Sequence, residues 1–303
     1  MARVVFLGTP EAAVEPLQTL VAAGHDVALV VTRPDKRRGR GSTLVPSPVK
    51  AAATGLGLAV TDKLQDVREA GAELGVVVAY GRIIPADVLE QLPMVNLHFS
   101  KLPRWRGAAP VERAILAGDA ITGVCLMAVD VGLDTGDVYA EEDTPIDESE
   151  SAEELRRRLV GIGSRLLEVH LAGGLAGLPT PRPQVGEPTY AEKIRPEELQ
   201  LHWDVDAGQL HRVVRLGRAW TTFRGKRLRV LEASPVPPAD REDQTAAPAT
   251  EGAGPGALHG EEVTAGEGTR LRLITVQPEG RQPMDAADWL RGIRPEPGER
   301  LGV

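Results

Sequence analysis

ARVVFLGTPEAAVEPLQTLVAAGHDVALVVTRP, residues 2–34, is the stretch whose reading decides the fold. ARVVFLG is an apolar run that ends at Gly8. Thr9 and Pro10 open EAAVEPLQTLVAAG, which has a helical pattern and stops at Gly24. HDVALVVTRP is a second strand-like apolar run, so the stretch reads as strand, helix, strand. GLGLAVTD, a short helix and AELGVVVAYG repeat the theme. VNLHFS follows as a strand, PVERAILAG as a helix and TGVCLMAV as a strand. This alternation predicts an α/β domain with a Rossmann-like, mostly parallel sheet. Ligands of such sheets sit beyond the carboxyl ends of the strands. GTPEAA has one glycine where a dinucleotide fingerprint needs three, which excludes NAD or FAD at this turn.

The texture changes further along the chain. ESAEELRRRLVGIGSRLLEVHLAGGLAG reads as a long amphipathic helix stopped at Gly173-Gly174. LPTPRPQVGEPTYAEKIRPEE is rich in proline and polar residues, as linkers are. LHRVVRLGRAWTTFRGKRLRVLEASPV, GALHGEEV and TRLRLITV look like short strands between turns, which suggests a small all-β unit such as a barrel. PVPPADREDQTAAPATEGAGPG, residues 235–256, is low in apolar residues and reads as a disordered loop. The expected division is a first domain over 1–180, a linker over 181–203 and a second domain over 204–303. A chain of 303 residues with 42% hydrophobic residues can bury a sizeable core. No apolar run approaches the roughly 20 residues that span a bilayer. Met1-Ala2-Arg3 leads straight into VVFLG, with no signal-peptide pattern, so the expectation is a cytoplasmic protein. Nothing in the sequence demands more than a monomer.

VNLHFSKLPRWRGAAP, residues 95–110, raises the question of function. Strand alternation puts Asn96 and His98 on one face, with Val95 and Leu97 on the other. Two polar groups at the end of a buried strand need partners, or they cost a few kcal/mol in desolvation. One reading is a structural pair bonded to a neighbouring loop. The other is a donor pair for a developing oxyanion, with the imidazole as proton carrier. No G-x-S-x-G elbow supplies an acyl-enzyme nucleophile, and no cluster at ligand spacing points to a metal. DVGLDTGD, residues 130–137, fails as a calcium loop, because Gly132 and Thr135 stand where a ligand and the sharp-turn glycine belong. It is either a solvated turn or a catalytic carboxylate, with Gly132 and Gly136 letting the backbone aim Asp134 inward. Cys125 rules out an intramolecular disulfide by being single, and it reads as a small core residue.

The net charge of −8 argues against a chain that coats nucleic acid uniformly. Two local basic stretches stand against it. RPDKRRGRG carries Arg33, Lys36, Arg37, Arg38 and Arg40 against Asp35. Arg212 to Arg229 holds no acidic residue and adds Trp220 and Phe223. Each is a solvated face or, together, an electrostatic footprint for a phosphate backbone. Trp220 reads as core before it reads as a stacking platform.

These stretches resemble one family in order along nearly the whole chain. VVFLGTPEAAVEPL, TRPDKRRGRGSTLVPSPVK, VVVAYGRIIP, VNLHFSKLPRWRGAAPVERAILAGD, DVGLDTGD, TYAEKI and PEGRQPMDAADWL are similar to the methionyl-tRNA formyltransferases. The resemblance implies transfer of a formyl group from N10-formyltetrahydrofolate, a co-substrate, to the α-amine of methionyl initiator tRNA, without a metal. It implies catalytic roles for Asn96, His98 and Asp134. It implies folate contacts at Ser100, Lys101, Leu102 and Pro103, although Lys101 replaces an apolar residue and Phe99 stands where glycine is usual. It implies that Arg33, Lys36, Arg37, Arg38 and Arg40 form a wedge for the tRNA acceptor stem, and that the second domain is an OB-like, tRNA-binding barrel. A relative that formylates a small amine, or a hydrolase of the same folate, has no need of the basic stretches. A non-catalytic tRNA-binding module has no need of Asn96, His98 and Asp134.

Overall fold

The computed structural model describes residues 1–37, 44–237 and 254–303. The chain divides into two compact units. One comprises residues 1–114, 120–146 and 154–192; the other comprises 115–119, 147–153 and 193–303.

The first unit is built on seven strands: β1 Arg3–Gly8, β2 Asp26–Val31, β3 Val60–Thr61, β4 Leu74–Val78, β5 Met94–His98, β6 Ile121–Ala128 and β7 Val138–Pro145. Their spatial order is β7-β6-β5-β4-β1-β2-β3. The pairs from β3 to β5 are parallel, while β6 is antiparallel to both β5 and β7. Strand-helix alternation thus predicts the parallel core but not the reversal at one edge. Central strands carry the burial. β4 is LGVVV and buried throughout, and β1 is buried from Val4 to Gly8. Each Val or Leu so buried contributes about 1.5–3 kcal/mol.

Helix α1, Val14–Ala22, follows β1 and buries Leu17 and Leu20. Helix α2, Pro48–Gly55, begins where local chemistry favours it. The Ser47 hydroxyl accepts from the Lys50 backbone N–H at 3.0 Å, and Pro48 needs no donor at the first position. Helices α3, Pro110–Ala117, and α4, Ala152–His170, complete the large helical segments of the first 180 residues. The strand sequence runs outward from β1 to β3, then returns to β4 on the other side. That reversal of strand order falls at β1 and β4, next to β5, and the carboxyl ends of strands at such a switch point are where ligands of open α/β sheets bind.

In the second unit, LHRVV is helical rather than strand-like. Helix α5, Ala207–Val214, is capped by Asp206, whose carboxylate accepts from the Gln209 N–H at 3.0 Å. Ala207, Leu210 and Val214 recur at helical spacing and are all buried. Six strands follow: β8 Trp220–Phe223, β9 Lys226–Pro235, β10 Leu258–His259, β11 Glu262–Thr264, β12 Arg270–Pro278 and β13 Met284–Asp285. They pair antiparallel in the order β8-β9-β12-β11-β10, with β13 on β12. The path from β8 to β10 is open among the described residues. Irregular pairing around Glu232 moves the buried face of β9 from Leu228 and Val230 to Ala233. Helix α6, Ala286–Ile293, buries Trp289 against Phe223, ring edge to ring face at 5.4 Å. No helix among the described residues is long and apolar enough to cross a membrane. The segment read as disordered lies largely outside the described residues.

Candidate active site

His98 closes β5 and is buried. Its Nε2 lies 2.9 Å from the Trp105 carbonyl. A carbonyl only accepts, so Nε2 carries hydrogen and donates. Trp105 has φ 63°, a left-handed conformation that a side chain rarely takes. Nδ1 faces the other way, 3.6 Å from Asp134 Oδ2. That distance exceeds a hydrogen bond, so Nδ1 and the carboxylate face each other without one. Asn96 is half-buried on the same strand face. Its amide makes no side-chain hydrogen bond among the described residues, so its donors are uncommitted.

Asp134 is held from several sides. Its φ of 51° is left-handed. Gly136, two residues on, lies so close to Ala128 that a Cβ there would meet the Ala128 carbonyl oxygen at 2.0 Å. The Gly107 backbone N–H donates to Asp134 Oδ2 at 2.8 Å. Gly107 itself has φ 122°, and a Cβ would lie 2.9 Å from the Ala191 carbonyl oxygen. The Gln184 amide donates to the Asp134 carbonyl at 2.9 Å and to the Gly136 carbonyl at 2.8 Å. Arg106 donates to Gln184 Oε1 from Nε at 3.0 Å and from a terminal nitrogen at 2.6 Å.

Residues 182–191, which read as linker, lie against these loops. The Trp105 N–H donates to Thr189 Oγ1 at 2.9 Å, and Arg106–Gly107 pairs with Tyr190–Ala191 as a short parallel ladder. Sequence reasoning misses Gln184, Thr189, Gly107 and the Trp105 carbonyl. Only Gly107 leaves a trace, as a glycine between a bulky, charged run and two alanines.

The loop after β5 uses its residues differently from one another. Ser100 is fully buried and donates to the Arg104 carbonyl at 2.6 Å, so its hydroxyl ties the loop together. Lys101 is half-exposed and ion-paired with Asp143, which raises its pKa, first through that hydrogen bond. Leu102 packs on Cys125, Met127 and Val138. Pro103 follows a cis peptide bond. Phe99 is buried. Burial pushes the Cys125 thiol up to about 12, as a core residue requires. Among the described residues no group of three or more His, Cys, Asp and Glu side chains is placed to hold a metal ion.

Of the basic loop, Arg33, Lys36 and Arg37 are described, while Arg38 and Arg40 lie outside the described residues. Lys36–Arg37 pairs antiparallel with Leu44–Val45, and both cations are exposed. Asp35 is occupied by Lys50 at 2.8 Å, so it does not neutralise those cations. The second basic stretch is used more within the protein. Arg215 is buried and donates to the Glu150 and Asp147 carbonyls at 2.7 and 2.6 Å. Arg224 grips Glu299 with two bonds of 2.6 Å. Trp220 is only half-buried, under the Arg227 guanidinium at 4.2 Å from the ring centroid.

The sequence and the fold find their match among known proteins. The family model for formyl transferase matches residues 2–169, and that for the formyl transferase C-terminal domain matches 193–294. The chain is thus a formyl transferase. A methionyl-tRNA formyltransferase of Corynebacterium aurimucosum is 42% identical over 96% of this chain and 94% of its own length. One of Halorhodospira halophila is 44% identical over 98% of each. The chain belongs to the methionyl-tRNA formyltransferase family. The solved structure of an N-formyltransferase from Helicobacter canadensis, in complex with folinic acid and dTDP-3-aminofucose, shares the fold with a TM-score of 0.67. It is 16% identical and covers 92% of this chain and 100% of its own. Methionyl-tRNA formyltransferase from Clostridium thermocellum shares it with a TM-score of 0.56 at 18% identity, over 77% of this chain and 93% of its own.

Proposed function

We propose that this protein transfers the formyl group of N10-formyltetrahydrofolate to the α-amine of methionyl initiator tRNA. The observation that carries the chemistry is the uncommitted Asn96 amide beside His98, whose Nδ1 faces Asp134 Oδ2 at 3.6 Å. Full-length identity to methionyl-tRNA formyltransferases supports the choice of substrate.

The attacking amine must be neutral, since an ammonium has no lone pair. It forms a bond to the formyl carbon, and the carbonyl π pair moves onto oxygen. The Asn96 amide donates to that oxyanion, a bond worth about 2.7–4 kcal/mol of barrier at comparable sites. Asp134, through a water, takes the proton of the attacking nitrogen and passes it to the folate nitrogen. His98 Nδ1 is placed to share in that transfer. The oxyanion then collapses, and the bond to the folate nitrogen breaks. Tetrahydrofolate leaves with the proton, and the formyl group stays on the amine.

Folate contacts fall to the backbone of Ser100, Lys101, Leu102 and Pro103, because Ser100 and Leu102 turn their side chains inward. The acceptor stem of the tRNA falls to the loop of Arg33, Lys36, Arg37, Arg38 and Arg40. The antiparallel unit is read as an OB-like, tRNA-binding domain over 204–303, joined by 181–203 to a catalytic domain over 1–180. With this goes a cytoplasmic monomer that needs no metal. The test is formyl transfer from labelled N10-formyltetrahydrofolate to methionyl initiator tRNA, with methionyl elongator tRNA as control. Transfer to the initiator alone supports the reading. Release of formate without transfer, or transfer only to a small amine, refutes it.

A further inference from the structure

The geometry points to Gln184 as the positioning residue of the site: its amide clamps the two carbonyls that set the left-handed turn at Asp134, and so aims the carboxylate at His98. This rests on the proposed formyl transfer only for its activity readout. The clamp itself is a matter of bonding.

The orientation of the amide is forced. Arg106 can only donate, and the carbonyls of Asp134 and Gly136 can only accept. Gln184 must therefore show Oε1 to Arg106 and its NH2 to the carbonyls, as it does at 3.0 and 2.6 Å on one side and 2.9 and 2.8 Å on the other. All of its side-chain donors are used. The position needs such a clamp, because a non-glycine residue at φ 51° leans toward extended or right-handed backbone when released. A turn that relaxes carries the carboxylate with it. Gly107 N–H, bound to Asp134 Oδ2 at 2.8 Å, would then lose its acceptor.

Gln184 and Thr189 come from a stretch that sequence reads as linker, and both bond to the catalytic loops. Both polar atoms of the Gln184 side chain are committed within the protein. It acts through Asp134, which makes kcat and not KM the quantity it governs.

The test uses the full chain with Gln184→Met, which keeps the volume and removes the bonds, and Gln184→Glu, which keeps an acceptor for Arg106 and turns an oxygen toward the two carbonyls. Either variant should lower kcat about tenfold or more while the KM for folate and for tRNA stays within about twofold. Gly107 amide hydrogen exchange should speed up in both. In an Asp134→Asn background Gln184→Met should change kcat by less than about twofold, since the residue it positions has lost its charge. A wild-type kcat in either variant that folds, a rise in KM matching the loss, unchanged Gly107 protection, or a full further loss in the Asp134→Asn background would overturn the assignment. Gly107 exchange is read without substrate. A wild-type protein that fails to formylate the initiator tRNA would therefore sink the substrate reading and leave the clamp to be judged on exchange alone.

Discussion

The loop of residues 130–137 and the basic loop that begins at Arg33 carry charge in opposite ways. Around Asp134 the polar groups are tied to one another: carboxylate to Gly107, backbone to Gln184, Gln184 to Arg106. Around Lys36 and Arg37 the cations stand exposed, and the nearby carboxylate of Asp35 is already taken by Lys50. The difference separates two physical tasks. Bond making needs donors fixed to fractions of an ångström. Attraction of a polyanion needs only net charge at an accessible surface, and works across several ångströms of motion.

The largest effect should come from the tied loop. Asp134→Ala, or Asn96→Ala on the facing strand, should slow single-turnover formylation at least ~100-fold with tRNA affinity little changed. Near-normal formylation by either variant would remove that residue from the site. The exposed loop should behave in the opposite way. Lys36→Ala with Arg37→Ala should weaken tRNA binding and flatten its salt dependence, by about one power of salt concentration for each phosphate no longer neutralised. Arg40→Ala should do the same, and loss of folate affinity instead would break the contrast. Folate binding measured at several salt concentrations serves as the control.

Smaller effects test the frame around the two loops. Cys125, with its thiol at about 12, should resist alkylation at neutral pH until the protein unfolds. Rapid labelling of the native protein would mean that the strand behind Leu102 opens. The smallest concerns Glu299, which the Arg224 guanidinium holds down to about 2. A depressed carboxylate stabilises the fold above its ordinary pKa, and that contribution is lost as pH falls from about 4.5 toward 2. Glu299→Gln should therefore flatten acid unfolding over that window by a small amount, because the pair is exposed. An identical acid titration curve would show that the pair contributes nothing.

Much of this is legible in the sequence, for identifiable reasons. Strand-helix alternation in residues 2–34 reveals the parallel core, because burial on both faces writes itself as valine runs. Alternation also places Asn96 beside His98. The reversal at β6 is not legible, since TGVCLMAV reads the same in either direction of pairing. LHRVV reads as strand because its apolar pairs fit both periods, and it is the Asp206 cap that decides for helix. The brace from Gln184 leaves no signal at all. Its side chain acts on backbone carbonyls, and backbone carbonyls have no letter in a sequence.

The pairing of Tyr190–Ala191 with Arg106–Gly107 has a practical consequence for anyone dividing the molecule. A fragment ended at residue 180, where the composition turns proline-rich, would discard Gln184, Thr189 and the short strand that pairs with Arg106–Gly107. A chimera that exchanges the second unit must carry residues 147–153 along with 193–303, because Arg215 bonds to the Asp147 and Glu150 carbonyls. The bonds that belong to the first unit run about a dozen residues past the visible seam.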